Sequence, residues 1–136
     1  MSRLLAVTSR VPYSTMEEAF VQEELEMLLA AGVDLVAVPT RTRGGEPNDQ
    51  SQRSGLAART IGTPLASGRV LAGAARTLVR HPRASLVMLG RVMRYSGGRR
   101  NLATNLASFP KALWLANLVG REGVTHIHAY WLAHTS

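Results

Sequence analysis

The sequence contains no cysteine. Disulfides, thiolate zinc sites and cysteine nucleophiles are thereby excluded, and a reducing cytoplasm suits the chain. Long hydrophobic runs are missing too. Asn101 to Pro110 is uncharged over ten residues and Gly123 to Ser136 over 14, histidine counted neutral, against the roughly 18 that a membrane span requires. The N-terminus is no signal peptide, because polar Thr8-Ser9-Arg10 follows a short apolar stretch at once. Acids are absent from residues 51–121, which hold eleven arginines and Lys111, a charge of +12. Residues 1–50 hold eight acids and four arginines, a charge of −4, and Glu122 supplies the last −1. Arginine accounts for 15 of the 16 basic residues, a bias read first as genomic composition. An acid-free stretch of this length attracts phosphates, anionic lipid or polyanionic glycans. Aromatics make up only 5% of the chain, too few to interleave with arginine for base stacking, so nucleic acid is not an expected partner.

What is present bounds one domain. A chain of 136 residues with an apolar fraction of 46% can bury an ordinary core. Arg3 to Thr8 is a short apolar run between polar residues, as in a buried strand. Thr15-x-x-Glu18, or Ser14-x-x-Glu17, is a capping-box signature. Phe20, Val21, Leu25, Leu28 and Leu29 follow it at helical spacing, and Gly32 supplies the helix stop. Asp34 to Val38 is a second apolar strand, closed by Pro39. Residues 3–39 thus read as a βαβ unit with parallel pairing. Residues 40–60 read as a polar loop, and residues 61–121 as a basic helical region. That region holds helices over 65–80 and 83–95 and a further helix opened by Ser108-Phe109-Pro110. Residues 124–131 read as a third, buried strand. The expected fold is α/β: a partial Rossmann-like domain with a three-stranded parallel sheet and a long helical insertion between strands 2 and 3. No segment follows the third strand to complete a crevice, so the chain is expected to be part of a larger domain.

The candidate residues lie at strand ends and on one helical face. The loop Ser9-Arg10-Val11-Pro12-Tyr13-Ser14-Thr15 has no G-x-G-x-x-G and no Walker A pattern. Its backbone is therefore not expected to approach a pyrophosphate, although Arg10, Ser14 and Thr15 could meet a phosphate or a sugar hydroxyl. The plain alternative is a capped helix. His126 and His128 share one face of a strand, with His134 close behind. No acid but Glu122 is near in sequence, so no metal is expected. His128 is a candidate for acid–base or substrate contact, because ligands of open α/β sheets bind at the carboxyl ends of strands. Tyr130 and Trp131 could stack on a sugar ring or pack beneath a following helix. On one continuous helix Arg69, Arg76, Arg80, Arg83, Arg91 and Arg94 would fall within a wedge of about 80°. Leu71, Leu78, Val79, Leu86, Leu89 and Met93 would lie opposite. Such a stripe fits a helix lying on an anionic membrane, or else the solvated face of a domain helix.

Two separated pieces resemble the N-terminal half of a family 4 glycosyltransferase of GT-B fold. The first is Glu18-Ala19-Phe20-Val21-Gln22-Glu23-Glu24-Leu25, then Leu28, then Gly32-Val33-Asp34-Leu35. It is similar to the family's E-x-F pattern with an acid one turn on. The second is Ile127-His128-Ala129-Tyr130-Trp131, similar to the family's I-H-A-H-[FW] strand end, with Tyr130 in place of the second histidine. The resemblance implies transfer of a sugar from a nucleotide-sugar donor to a glycan or lipid-linked acceptor, with retention and without an obligatory metal. It gives Glu18 and Glu24 an interest that their helix alone does not. It implies that this N-terminal part binds the acceptor, through Ser14, Thr15, Glu18, His128, Tyr130 and Trp131. The donor would bind a C-terminal domain, in the same or a separate chain, so this part is expected to hold no cofactor, to carry no assigned catalytic residue and to be inactive alone. It would lie in the cytoplasm, peripheral on the inner membrane face. The rival reading is a non-enzymatic basic module binding anionic membrane or polyanion.

Overall fold

The structure is a computed structural model describing residues 2–13, 19–42 and 46–130. Three strands, β1 (Arg3–Thr8), β2 (Asp34–Pro39) and β3 (Val124–Ala129), form an open parallel sheet in the order β2-β1-β3. Among the described residues five helices accompany it: α1 (Ala19–Ala30), α2 (Asp49–Ser54), α3 (Gly68–Arg80), α4 (Pro82–Tyr95) and α5 (Arg99–Glu122). The chain divides into two compact units, Met1–Pro64 with Glu122–Ser136, and Leu65–Arg121.

The first unit is the sheet with α1 and α2. Residues of β1 and β2 are nearly all apolar, as expected where both faces of a strand are covered. The helix α1 buries Val21, Gln22 and Leu25. Its stop is a Schellman turn in which the Val33 N–H donates to the Leu28 carbonyl at 3.0 Å and the Gly32 N–H to Leu29 at 2.9 Å. Gly32 takes φ +82°, a conformation that strains any residue with a Cβ. Leu35 and Ala37 of β2, Ala6 of β1, Val11, Leu56 and Tyr130 meet Val21 and Leu25 in one core cluster.

Ion pairs clamp the amino end of the sheet. The Arg3 Nε donates to Asp34 at 2.8 Å and its Nη1 to Glu122 at 2.8 Å, while Arg59 reaches the other Asp34 oxygen at 3.1 Å. One side chain thereby ties the starts of β1, β2 and β3 together. At the start of β3 a bulge takes up one residue, since Arg3 pairs with Val124 but Leu4 with His126. After the bulge, His126 and His128 stand opposite Leu4 and Ala6.

The second unit is helical. Ser67 caps α3 by accepting from the Val70 N–H at 3.2 Å, and the single residue His81 separates α3 from α4, which opens on Pro82. The helix α5 buries Lys111, Leu113, Trp114 and Leu118. Thr77 of α3 donates to the Leu113 carbonyl at 2.8 Å. Burial lowers the Lys111 ammonium to about 8.

Four readings of the sequence change. Residues 40–60 are not all loop: α2 forms there, capped by Asn48 and closed by Gly55 at φ +81°, and a 3₁₀ turn spans Ala57–Arg59. Both are too short for helical periodicity to register. The last helix begins at Arg99 and carries Pro110 inside it, rather than opening at Ser108. A proline there cannot donate to the carbonyl four residues back, but the residues before it still favour helix. The third strand is not buried. Among the described residues it pairs with β1 alone, its residues are exposed or half-buried, and Ile127 is 59% exposed. An apolar run reports strand character without saying how many neighbours the strand has. Phe20 is 67% exposed, and Gln22 takes the inward position instead.

Candidate functional site

The order β2-β1-β3 means that the chain leaves β1 to opposite sides, first to β2 and later to β3. The carboxyl ends of β1 and β3 therefore flank a topological switch point, the place where open parallel sheets form a crevice. Backbone pairing persists there, with the Tyr130 N–H donating to the Val7 carbonyl at 3.0 Å and the Arg41 N–H to Ser9 at 2.8 Å. The loop after β1 turns sharply. Thr8 is buried with its hydroxyl donating to the Val11 carbonyl at 2.9 Å, and the Tyr13 N–H donates to Arg10 at 2.7 Å. The hydroxyl of Tyr13 lies where a Cβ on Gly62 would sit, 2.0 Å away, so the missing side chain of Gly62 makes room for it.

At the end of β3 the rings of His128 and Tyr130 stack, with centroids 4.5 Å apart and planes 9° from parallel. Tyr130 belongs to the core cluster with Val11 and Leu25, whereas His128 is exposed. Of the two readings of Tyr130, the structure gives it the packed environment. Burial, helped by the neighbouring Glu24 carboxylate, pushes its phenol up to about 12, so it stays a neutral donor at physiological pH. His128 thus presents its outer face with a buried ring stacked behind it. Ser14, Thr15, Glu18 and Trp131 lie outside the described residues.

A polar network, which the sequence did not reveal, braces the loop after β1. Asn48 donates from Nδ2 to the Pro12 carbonyl at 2.6 Å and to Gln22 Oε1 at 2.8 Å. Its Oδ1 accepts from the Ser51 N–H at 2.9 Å and from Gln22 Nε2 at 3.1 Å. Glu26 accepts from Gln22, Gln50 and Ser54 at 2.9, 2.7 and 3.0 Å. Partners this far apart along the chain have no local signature.

The second unit carries the arginines. Arg69, Arg76, Arg80, Arg83, Arg91 and Arg94 are all exposed. They sit on two helices rather than on one continuous helix, since the segment breaks at His81. The apolar residues predicted opposite them are not a buried seam either. Leu71, Leu78, Val79, Leu86 and Met93 are 44–79% exposed, and Leu89 is half-buried. Val70, Ala74 and Thr77 of α3 and Ser85 of α4 face inward instead. A groove of about 250 Å³ is lined by Thr77, Arg80, His81, Ala116, Asn117, Gly120 and Arg121. Arg80 and Arg121 in its lining offer anion contacts.

Among the described residues no group of three or more His, Cys, Asp or Glu side chains is placed to hold a metal ion. No family model, curated protein or solved structure matches the chain.

Proposed function

We propose that this chain is the acceptor-binding, N-terminal portion of a retaining GT-B glycosyltransferase resembling family 4, its α/β sheet being the Rossmann-like half that holds the sugar acceptor. The observation that carries the reading is the switch point between β1 and β3, with the His128–Tyr130 stack at its rim. The sequence resemblance singles out the end of β3 and the start of the first helix, which follows β1 in the chain. His128 would hydrogen-bond an acceptor hydroxyl. Its ring is held parallel to Tyr130, so little orientational freedom is lost on binding. Ser14, Thr15, Glu18 and Trp131 would supply further polar and stacking contacts. The loop after β1 has no glycine-rich phosphate cradle, which supports assigning the nucleotide-sugar to a separate donor domain, in the same chain or in another. The acceptor would be a glycan or a lipid-linked sugar, met at the cytoplasmic face of a membrane.

Saturation-transfer NMR on the full chain tests this with two ligand sets, oligosaccharide acceptors and nucleotide-sugars. Acceptors should show transfer that His128→Ala abolishes, and nucleotide-sugars should show none. Nucleotide-sugar binding in this unit, or no response from any oligosaccharide up to millimolar concentration, would overturn the reading.

A further inference from the structure

We propose that α3 and α4 together form a docking surface for an anionic lipid bilayer. This stands on the second unit alone and does not depend on the catalytic reading. Ordinary surface helices turn their large apolar residues inward and their polar ones outward. Here large apolar residues also face outward, among the exposed arginines. The helix α3 buries Val70, Ala74 and Thr77 and exposes Leu71, Leu78 and Val79, the last at 79%. The helix α4 buries Ser85 and exposes Leu86, Val87 and Met93 at 63%, 57% and 59%. At 100° per residue, Val79 of α3 points away from Val70 and Thr77, with Leu71 and Leu78 to one side and Arg69, Arg76 and Arg80 to the other. On α4, Val87 lies among Arg83, Arg91 and Arg94, with Leu86 and Met93 beside them.

Apolar side chains interleaved with arginines match a bilayer interface, where acyl chains receive the first and lipid phosphates the second. The charge argues for the same occupant. No acid lies between residues 51 and 121 to repel anionic headgroups or to pair with a basic protein partner. Single-stranded nucleic acid would call for aromatic platforms, and Tyr95 is the only aromatic residue on these two helices. Among the described residues no helix is long and apolar enough to cross a membrane. At 13 and 14 residues, α3 and α4 are each about 20 Å long, suited to lying in the interface plane.

Vesicle flotation of the full chain tests the proposal, using phosphatidylcholine vesicles and phosphatidylcholine–phosphatidylglycerol mixtures. The chain should float with the mixtures, stay behind with pure phosphatidylcholine, and bind less as salt rises. Each arginine near the surface is expected to contribute roughly five-fold in affinity, so R83Q/R91Q/R94Q should weaken binding roughly 100-fold. A second variant, V79S/L86S/M93S, should also release the chain from the mixtures, with its circular dichroism unchanged because all three side chains are exposed. Binding that survives the serine variant unaltered would mean charge attraction to any polyanion and overturn the proposal. So would absence of flotation combined with a concentration-dependent dimer that the serine variant dissolves, which would give the face to a second copy of the chain.

Discussion

Asn48 satisfies two donors and two acceptors with one side chain, and it does so where three segments meet: the loop after β1, α1 and the start of α2. Replacing it by alanine removes the α2 cap and leaves Oε1 of Gln22, which is 1% exposed, without its donor, while Nε2 keeps Glu26. Asn48→Ala is expected to lower stability by about 2–3 kcal/mol, combining a lost cap with a buried amide oxygen left without a donor. A urea titration should show the lower midpoint, and the loop carrying Pro12 and Tyr13 should exchange its amides faster. Little of this was legible beforehand, because Asn48 stands 36 residues from Pro12 and 26 from Gln22. Tyr130 shows the same limit. Strand period places it on one face with His128, but whether that face is core or crevice depends on β3 lying against β1 rather than on any neighbour in sequence.

Glycine has opposite consequences in two helices. On α3, a Cβ at Gly73 would sit 2.5 Å from Cδ1 of Trp114, whose ring is 4% exposed and has nowhere to retreat. On α4, a Cβ at Gly90 meets nothing within 4 Å. Gly73→Val should therefore cost about 2 kcal/mol through overpacking, whereas Gly90→Ala should gain about 0.5–1 kcal/mol from helix propensity. Thermal melts of the two variants should shift in opposite directions. Elements with strong periodicity and clear punctuation were readable in advance: β1, α1 with its Gly32 stop, β2, and the break at Pro82. Those that failed depend on information beyond their own residues. Pro110 is as compatible with a first turn as with an interior that neighbouring turns support, and an apolar run such as Val124 to Ala129 does not report whether a second strand covers its outer edge.

At the scale of the whole molecule, Asp34, Lys111 and Tyr130 are described groups whose shifts make stability depend on pH. Hydrogen bonding to Arg3 holds the Asp34 carboxyl below its usual 3.8, so its stabilisation is present above that pH and is lost as acid protonates it. Lys111 works in the other sense. Its burial disfavours the charged form, a penalty fully present below about pH 8 and relieved as the pH rises from about 8 to 10.5, where the unfolded chain still holds the proton. Tyr130 favours the neutral phenol, so between 10.0 and about 12 stability falls again as the unfolded chain ionises first. Denaturant melts should show greatest stability near pH 10. Lys111→Met should remove the rise on its alkaline approach, and Tyr130→Phe the decline beyond. The α/β class and the parallel sheet were legible from apolar strands around a helix, and the basic character of residues 61–121 was plain from charge. The exposure of its apolar residues was not, because amphipathic spacing is identical whether the apolar face turns toward a core or away from one.

The placement of β3 beside β1 also bears on how the protein is made. Arg3 meets Glu122 across 119 residues of sequence, and none of the pairing between β1 and β3 can form until that stretch has been translated. At about 5–20 residues per second the wait is roughly 6–24 s. During it the nascent β1–α1–β2 unit presents the bare edge of its innermost strand, so the ribosome-bound chain passes through a stage in which premature pairing with another nascent chain competes with its own completion.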